Sequence, residues 1–105
     1  MQPLQLEVNC QGYLILPPEI AVRYFPDNVC VAIWREPELW ILPIHNSSAG
    51  GLLLKQRNAL GERSVLIWEA LPTNWPTGLF PAFWDEDNAA LRIALIDGRR
   101  AQQNH

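Results

Sequence analysis

The side chains that could carry out chemistry in this chain are carboxylates in turns, together with a few histidines and cysteines. Glu36 and Glu38 form one carboxylate pair, and residues 85–87 (Asp-Glu-Asp) form a second acidic group. Paired carboxylates can act as acid and base when a cleft separates their pKa values. Both groups stand in turn-like segments, where carboxylates are normally solvated, so we predict no catalytic role for them.

The histidines and cysteines do not follow a ligand or nucleophile pattern. Cys10, Cys30, His45 and His105 lack the short paired spacings of zinc sites. A nucleophile needs a neighbouring base, and His45 follows a strand within a polar loop. We therefore predict no enzyme, no metal and no cofactor. The two cysteines are interpreted as reduced, buried thiols of a cytosolic protein, with a disulfide as the alternative.

Period-two alternation of apolar and polar residues dominates the chain and predicts a mainly β protein. Turn-forming segments separate the candidate strands. We predict a small single-domain barrel or sandwich of seven or eight strands, spanning 1–97 and subdivided near 46–51, with a flexible polar tail at 98–105. The predicted strands are 4–9, 12–16, 28–34, 39–44, 51–56, 64–70, 80–84 and 89–96.

One short helix is predicted over 18–25, in the stretch "LILPPEIAVRYFPD". Pro18 suits a first helical position and Pro26 prevents continuation. Arg23 should point away from the sheet, while an apolar stripe docks on it. That stripe comprises Ile20, Ala21, Tyr24 and Phe25.

Residues 12–44 resemble the swapped-hairpin module of the AbrB-like family. The resemblance lies in a strand ending in Leu-Pro, a short helix opened by Glu-Ile, a valine-rich strand, a tight turn and a strand closing in Leu-Pro. It implies a dimer of interleaved hairpins that binds DNA as a transcription regulator or antitoxin. The residues that carry it are Leu16, Pro17, Glu19, Ile20, Val29, Val31, Leu42 and Pro43.

The charge distribution argues against the DNA-binding part of that resemblance. Residues 1–50 contain five acidic and two basic residues and carry all of the net charge of −3, whereas residues 51–105 are neutral. DNA affinity comes chiefly from several Lys and Arg contacts with phosphates. Arg23 is the one basic residue placed to contact DNA in the family's manner, so nucleic acid is not a predicted partner.

The second half contains a compact polar cluster at 55–58 (Lys-Gln-Arg-Asn), with Arg63 opposite it across a predicted hairpin. This cluster is either an anion- or partner-docking edge or a set of charges that protects a hairpin tip from edge-to-edge pairing. The stretches "GGLLLKQRNALGERSVLIWEAL" and "FWDEDNAALRIAL" resemble small accessory proteins of hydrogenase maturation. That resemblance implies a maturation role.

The five tryptophans are the most informative aromatic residues. Trp34 and Trp40 flank the "REPE" turn and are predicted to pair across a hairpin. Trp75, in the loop "PTNWPTG", is predicted to be exposed and to anchor a partner. The full predicted contact set is Trp75, Phe80 and Trp84, rimmed by Lys55, Arg57 and Arg63.

These observations together predict a non-enzymatic protein-protein interaction module, such as an assembly or maturation accessory protein that docks on a larger protein partner. The alternative is an AbrB-like DNA-binding regulator or antitoxin. High apolarity with few charges, the expected burial of strand 28–34 on both faces and the resemblance to the AbrB-like family together predict a homodimer. No apolar stretch approaches the ~20 residues of a membrane span, and the N-terminus lacks a signal-peptide pattern, so we expect a cytoplasmic protein without a membrane partner.

Overall fold

The chain forms an antiparallel sheet that curls into a nearly closed barrel. The computed structural model describes residues 4–45 and 50–96. Those residues form nine strands, one α-helix and one 3-10 turn, so the predicted mainly β fold with a single short helix is confirmed as a barrel. The elements in chain order are β1 (Leu4–Val8), β2 (Tyr13–Leu16), α1 (Pro18–Tyr24), β3 (Val29–Arg35), β4 (Glu38–Pro43), β5 (Leu52–Leu53), β6 (Lys55–Gln56), β7 (Arg63–Leu66), the 3-10 turn (Trp68–Ala70), β8 (Gly78–Asp85) and β9 (Ala90–Ala94).

The two halves of the chain are interleaved in the sheet, whose strand order is β5-β3-β4-β9-β8-β1-β2-β7-β6. Each of the first four strands pairs with a strand from the second half, in the pairs β1–β8, β2–β7, β3–β5 and β4–β9. The strands of segment 12–44 therefore pair with other strands of the same chain. The subdivision predicted near 46–51 includes residues 46–49, which lie outside the described residues. Asp97 and the predicted tail at 98–105 also lie outside them.

A short segment, Leu52 to Gln56, brings the two ends of the sheet together. Its first part pairs with β3 and its second part pairs with β7. Leu54 lies between them with its side chain buried and its backbone N–H donating to the carbonyl of Asn28 at 2.8 Å. The sequence predicts one strand over 51–56. Two short strands are found instead, because the pairing partner changes at Leu54 from β3 to β7.

Alternation along the strands places the core inside the barrel. Leu14, Leu16, Val65, Leu39 and Ile41 are fully buried. Each has neighbours along its strand that face outwards. Within the described ranges, no helix combines the length and apolar character needed to cross a bilayer.

Helix α1 confirms the prediction for 18–25 almost to the residue. Pro18 occupies the first turn, and the helix ends before Pro26 with the Phe25 N–H bonded to the Ala21 carbonyl at 3.0 Å. Ala21 and Phe25 are buried, Ile20 and Tyr24 pack against the same core, and Arg23 is exposed. The apolar stripe therefore covers part of the core as predicted.

Several local predictions are wrong. Trp34 pairs with Leu39 and Trp40 pairs with Ile33, so the two tryptophans face opposite sides of the hairpin. Strand β3 is not buried on both faces, because Ile33 is 44% exposed. The predicted strand 64–70 ends at Leu66 and continues as the 3-10 turn.

Only one of the two cysteines is buried, so the prediction that both are buried is wrong. Cys30 faces the core, whereas Cys10 is exposed in the turn between β1 and β2. Asn9 organises that turn through its Oδ1, which accepts hydrogen bonds from the backbone N–H groups of Gln11 and Tyr13, each at 3.0 Å. Cys10 therefore belongs to a polar turn rather than to a strand.

Candidate interaction surfaces

The three aromatic residues predicted to contact a partner all pack against the core. Phe80 faces inwards and is 4% exposed. Trp84 stacks on Tyr24 with ring centroids 4.2 Å apart. Trp75 is partly buried and donates its indole N–H to the Asn9 carbonyl at 3.1 Å, so the prediction that it is exposed is wrong. These residues join the loop 72–78 and β8 to the barrel rather than forming an outer contact surface.

The predicted basic rim divides into two parts. Arg63 lies opposite Gln56 in the β6–β7 hairpin, as predicted. Its guanidinium donates to the Gly61 carbonyl and to Asn28 Oδ1, which ties the hairpin to the turn before β3. Lys55 and Arg57 are exposed on the same hairpin. The structure therefore leaves two of the three predicted basic residues available at the surface.

A row of four outward-facing side chains crosses β3, β4, β9 and β8, and the sequence analysis did not identify it. Ile33 is opposite Trp40, Trp40 is opposite Arg92, and Arg92 is opposite Phe83. Phe83 is 49% exposed. We call these four residues the Trp40 row. It is an aromatic and apolar surface on regular sheet, with one cation at its centre.

Arg92 is held in position by two carboxylates and two rings. Its guanidinium contacts Glu38 Oε1 at 2.8 Å and Asp85 Oδ2 at 3.0 Å. It also lies 4.7 Å from the Trp40 ring centroid and 4.8 Å from that of Phe83. Trp40 donates its indole N–H to the same Glu38 oxygen at 3.0 Å. Arginine positioned over aromatic rings is attracted by their negative faces, so these contacts hold the row in one arrangement.

The carboxylates that contact Arg92 come from the two acidic groups noted in the sequence. Asp85 also accepts hydrogen bonds from the Asn88 side-chain amide at 2.8 Å and from the backbone N–H groups of Asp87 and Asn88. The Asn88 amide, followed by Arg92, lowers the pKa of Asp85 below its usual value. The hydrogen bonds that Arg92 donates to Asp85 and, to a lesser extent, to Glu38 raise the pKa of Arg92. Asp85 and Arg92 therefore stay charged and paired at neutral pH.

No protein-family model matches this chain, and no curated protein or solved structure is significantly similar to it. Functional interpretation therefore depends on the side chains themselves.

The groups considered for catalysis do not meet in one site. His45 lies beyond the end of β4 and is 3.6 Å from Asp27, whereas Asp85 is joined through Arg92 to Glu38 at the start of β4. An extended strand of six residues separates the two ends by about 17 Å. Burial raises the pKa of Cys30 to about 12, which keeps its thiol protonated and unreactive at neutral pH. Within residues 4–45 and 50–96, no cluster of three potential metal ligands occurs.

Arg23, the residue named for DNA binding, stands alone on the outer side of α1. Its guanidinium lies 5.2 Å from the Tyr24 ring centroid. Glu19 is the acidic residue of the first turn of the same short helix. The helix therefore presents one cation and one carboxylate rather than a basic surface.

Two sequence signals pointed to the Trp40 row. Ile33 and Trp40 are equally distant from the centre of the "REPE" turn, which is what a cross-strand pair requires. Arg92 interrupts the apolar run "ALRIAL", which marks an outward position in a strand. Neither signal shows that β4 lies beside β9, and that pairing is what assembles the row.

Asn88→Ala should raise the pKa of Asp85, because the variant lacks the largest interaction that lowers it. A carboxylate whose folded-state pKa is below its unfolded value, about 3.9, stabilises the fold at neutral pH and loses that effect as the pH falls through the folded pKa. The variant should therefore have a lower free energy of unfolding at pH 7, and the difference from the parent should shrink towards pH 2. Carboxyl NMR titration and urea unfolding across this range measure both effects.

Glu86→Gln is the matched control for this variant, since it removes a charge from the same turn without removing a hydrogen bond to the Asp85 side chain. It should leave the pKa of Asp85 almost unchanged. An equal rise in both variants would show that general turn charge, rather than the Asn88 amide, controls this carboxylate.

Proposed function

We propose that this protein is a non-enzymatic interaction module that docks on a larger protein partner through the Trp40 row. The single observation that supports this function is the cross-strand alignment of Ile33, Trp40, Arg92 and Phe83 on an outer face of the sheet. Tryptophan and arginine are the residue types most enriched among those that dominate binding energy at protein interfaces. A surface of this composition fits an apolar and aromatic patch on another protein.

The contacts around Arg92 favour tight docking because they reduce the ordering required on binding. Glu38 and Asp85 already hold the guanidinium, and the Trp40 indole is fixed by its hydrogen bond. A side chain that is ordered before binding loses less conformational entropy when a partner covers it. The row is therefore suited to form a preorganised contact surface.

The charge around the row favours a protein partner over DNA, which is the alternative. Arg35 lies 4.6 Å from the Trp40 ring centroid, and Arg92 contacts the carboxylates of Glu38 and Asp85. A DNA-binding surface needs several cations available for phosphates. A nearly neutral aromatic surface instead suits a protein interface, whose core is depleted in charge and enriched in aromatic residues.

The broader role that we propose is assembly or maturation of a larger protein in the cytoplasm. The resemblance of the second half to accessory proteins of hydrogenase maturation supports this class of role. A maturing enzyme such as hydrogenase is therefore the first partner to test.

Trp40→Ala should weaken binding to the partner by roughly 30-fold or more, the loss expected when an interface hot spot is truncated. The partner is first isolated from the native host with the unmodified protein as bait and then purified. Its affinity for both forms of the bait is measured by calorimetry. Phe83→Ala provides a second variant of the same surface, and thermal unfolding confirms that each variant is folded.

Leu60→Ala is the control for this test, because Leu60 is 80% exposed at the β6–β7 hairpin tip. It should leave the affinity unchanged. Equal affinities for the parent and both row variants would show that the partner binds another surface. The predicted homodimer is tested separately by measuring mass in solution over a range of concentrations, with the same variants.

A further inference from the structure

A second surface feature lies on strands other than the four that carry the Trp40 row. It is a recess of about 340 Å³ on the outer side of β2, β7 and the closing segment 52–56. Ligand sites in proteins usually have volumes of about 300–1,000 Å³, so the recess has room for a small molecule. The side chains that line the recess determine which chemical class of ligand it would accept.

The register of the strands explains why the side chains that line the recess lie close together. Tyr13 is opposite Leu66 on neighbouring strands, and Ser64 is opposite Lys55. The residues between them, Leu14, Leu54 and Val65, are buried in the core, so alternation directs the lining side chains outwards. The recess is therefore built mostly on regular sheet, and Asn9 and Gln11 of the β1–β2 turn and Arg57, just after β6, complete its lining.

The lining has an apolar part and a cationic part. Leu53, Leu66 and the Tyr13 ring provide apolar surface, and both leucines are exposed. Lys55 and Arg57 contribute the charged groups, and among the residues that the structure describes no carboxylate lines the recess. A ligand that matches both parts must combine an apolar portion with a negative charge.

The two cations are not neutralised within the part of the chain that the structure describes. Neither Lys55 nor Arg57 has a carboxylate within 4.0 Å there, whereas Arg92 has two. The nearby Glu62 carboxylate accepts a hydrogen bond from the Asn58 amide at 2.8 Å. In a protein of net charge −3, two uncompensated cations beside a concave apolar surface form a local attraction for anions.

We infer that this recess binds a small amphipathic organic anion, whose carboxylate or phosphate group contacts Lys55 and Arg57 while its apolar portion packs on Tyr13, Leu53 and Leu66. Charge-assisted hydrogen bonds to the two cations provide the stronger contacts, and the apolar wall selects ligands that carry a ring or hydrocarbon portion. This site is independent of the Trp40 row.

Three probes with the same ring test the inference: 1-naphthoate, 1-naphthyl phosphate and the neutral 1-naphthalenemethanol. At least one anion should bind about ten-fold more tightly than the neutral alcohol, because hydrogen bonds to charged groups are stronger than neutral ones. Preference between the two anions identifies the acidic group. Lys55 is the only lysine in the chain, so reductive methylation with ¹³C-formaldehyde gives a single lysine NMR signal that should shift on binding.

Lys55→Gln and Arg57→Gln should each weaken binding of the preferred anion about ten-fold. Arg23→Gln is the matched control, since it removes an equally exposed cation from α1, and it should have no effect. Equal binding of the neutral alcohol, unchanged binding by both recess variants, or no binding of either anion would overturn the inference. None of these results bears on the Trp40 row, which is tested by Trp40→Ala.

Discussion

Replacing Gly12 with alanine is expected to lower the free energy of unfolding by roughly 2–5 kcal/mol, because the new methyl group meets both backbone strain and a steric clash. Gly12 has a φ of +89°, in the region that favours glycine. A Cβ at this position would clash with Trp68 Cβ and would lie 3.1 Å from Trp68 Cα. The Ile67 N–H also bonds to the Gly12 carbonyl at 2.8 Å, so the two segments cannot separate without losing that bond. Urea unfolding measures the loss.

Gly50→Ala separates the two causes. Gly50 has almost the same φ, +88°, and no atom of residues 4–45 or 50–96 lies within 4 Å of a Cβ built there. Its substitution should cost only the conformational part, about 1–2 kcal/mol. In the Gly12→Ala background, Trp68→Gly should relieve part of the clash, whereas Trp68→Ala should not, because alanine retains the Cβ. A loss no greater than that of Gly50→Ala would show that the 3-10 turn moves aside easily.

Phe25→Ala should also destabilise the barrel strongly, by about 3–5 kcal/mol. The ring is 1% exposed and belongs to the core that α1 covers. Removing it leaves a cavity beneath the helix, and the rigid prolines on both sides limit how far the helix can move to fill it. Since domains of this kind are stable by only about 5–15 kcal/mol, the loss is a large fraction of the total.

Val22→Ala is the matched control for this substitution, because Val22 lies on the same helix with 67% of its side chain exposed. It should change the unfolding free energy by less than about 0.5 kcal/mol. Near-UV circular dichroism of the stacked Tyr24 and Trp84 gives a local measure of helix docking. A loss below 1 kcal/mol for Phe25→Ala would mean that α1 contributes little to the core.

Local rules predicted α1 and most of the strands well. Pro18 and Pro26 limit the helix through their own backbone geometry, and this effect does not depend on distant residues. The alternation in Leu4–Val8 likewise reports one buried face directly. The exception is the closing segment, where Leu54 changes partner between β3 and β7. A change of partner leaves no local pattern.

The surroundings of Trp75 and the Trp40 row could not be predicted, because both depend on contacts between residues far apart in the chain. Trp75 lies among turn-forming residues, which favour exposure. Its indole N–H nevertheless donates a hydrogen bond to the Asn9 carbonyl, 66 residues earlier in the chain. The Trp40 row similarly requires that β4 pair with β9. Sequence patterns show which side of a strand is polar, and they do not show which strands become neighbours.

The interleaving of the two halves has a consequence for synthesis on the ribosome. Val8 pairs with Gly78, and Trp40 pairs with Arg92. One partner strand of β1 and one partner strand of β4 are therefore translated much later than β1 and β4 themselves. Until β8 and β9 emerge, the nascent chain presents apolar strands with unpaired edges, which are prone to aggregate. Such distant pairings also slow folding. The barrel is thus completed only after β9 has been synthesised, and chaperones that cover strand edges would act before that point.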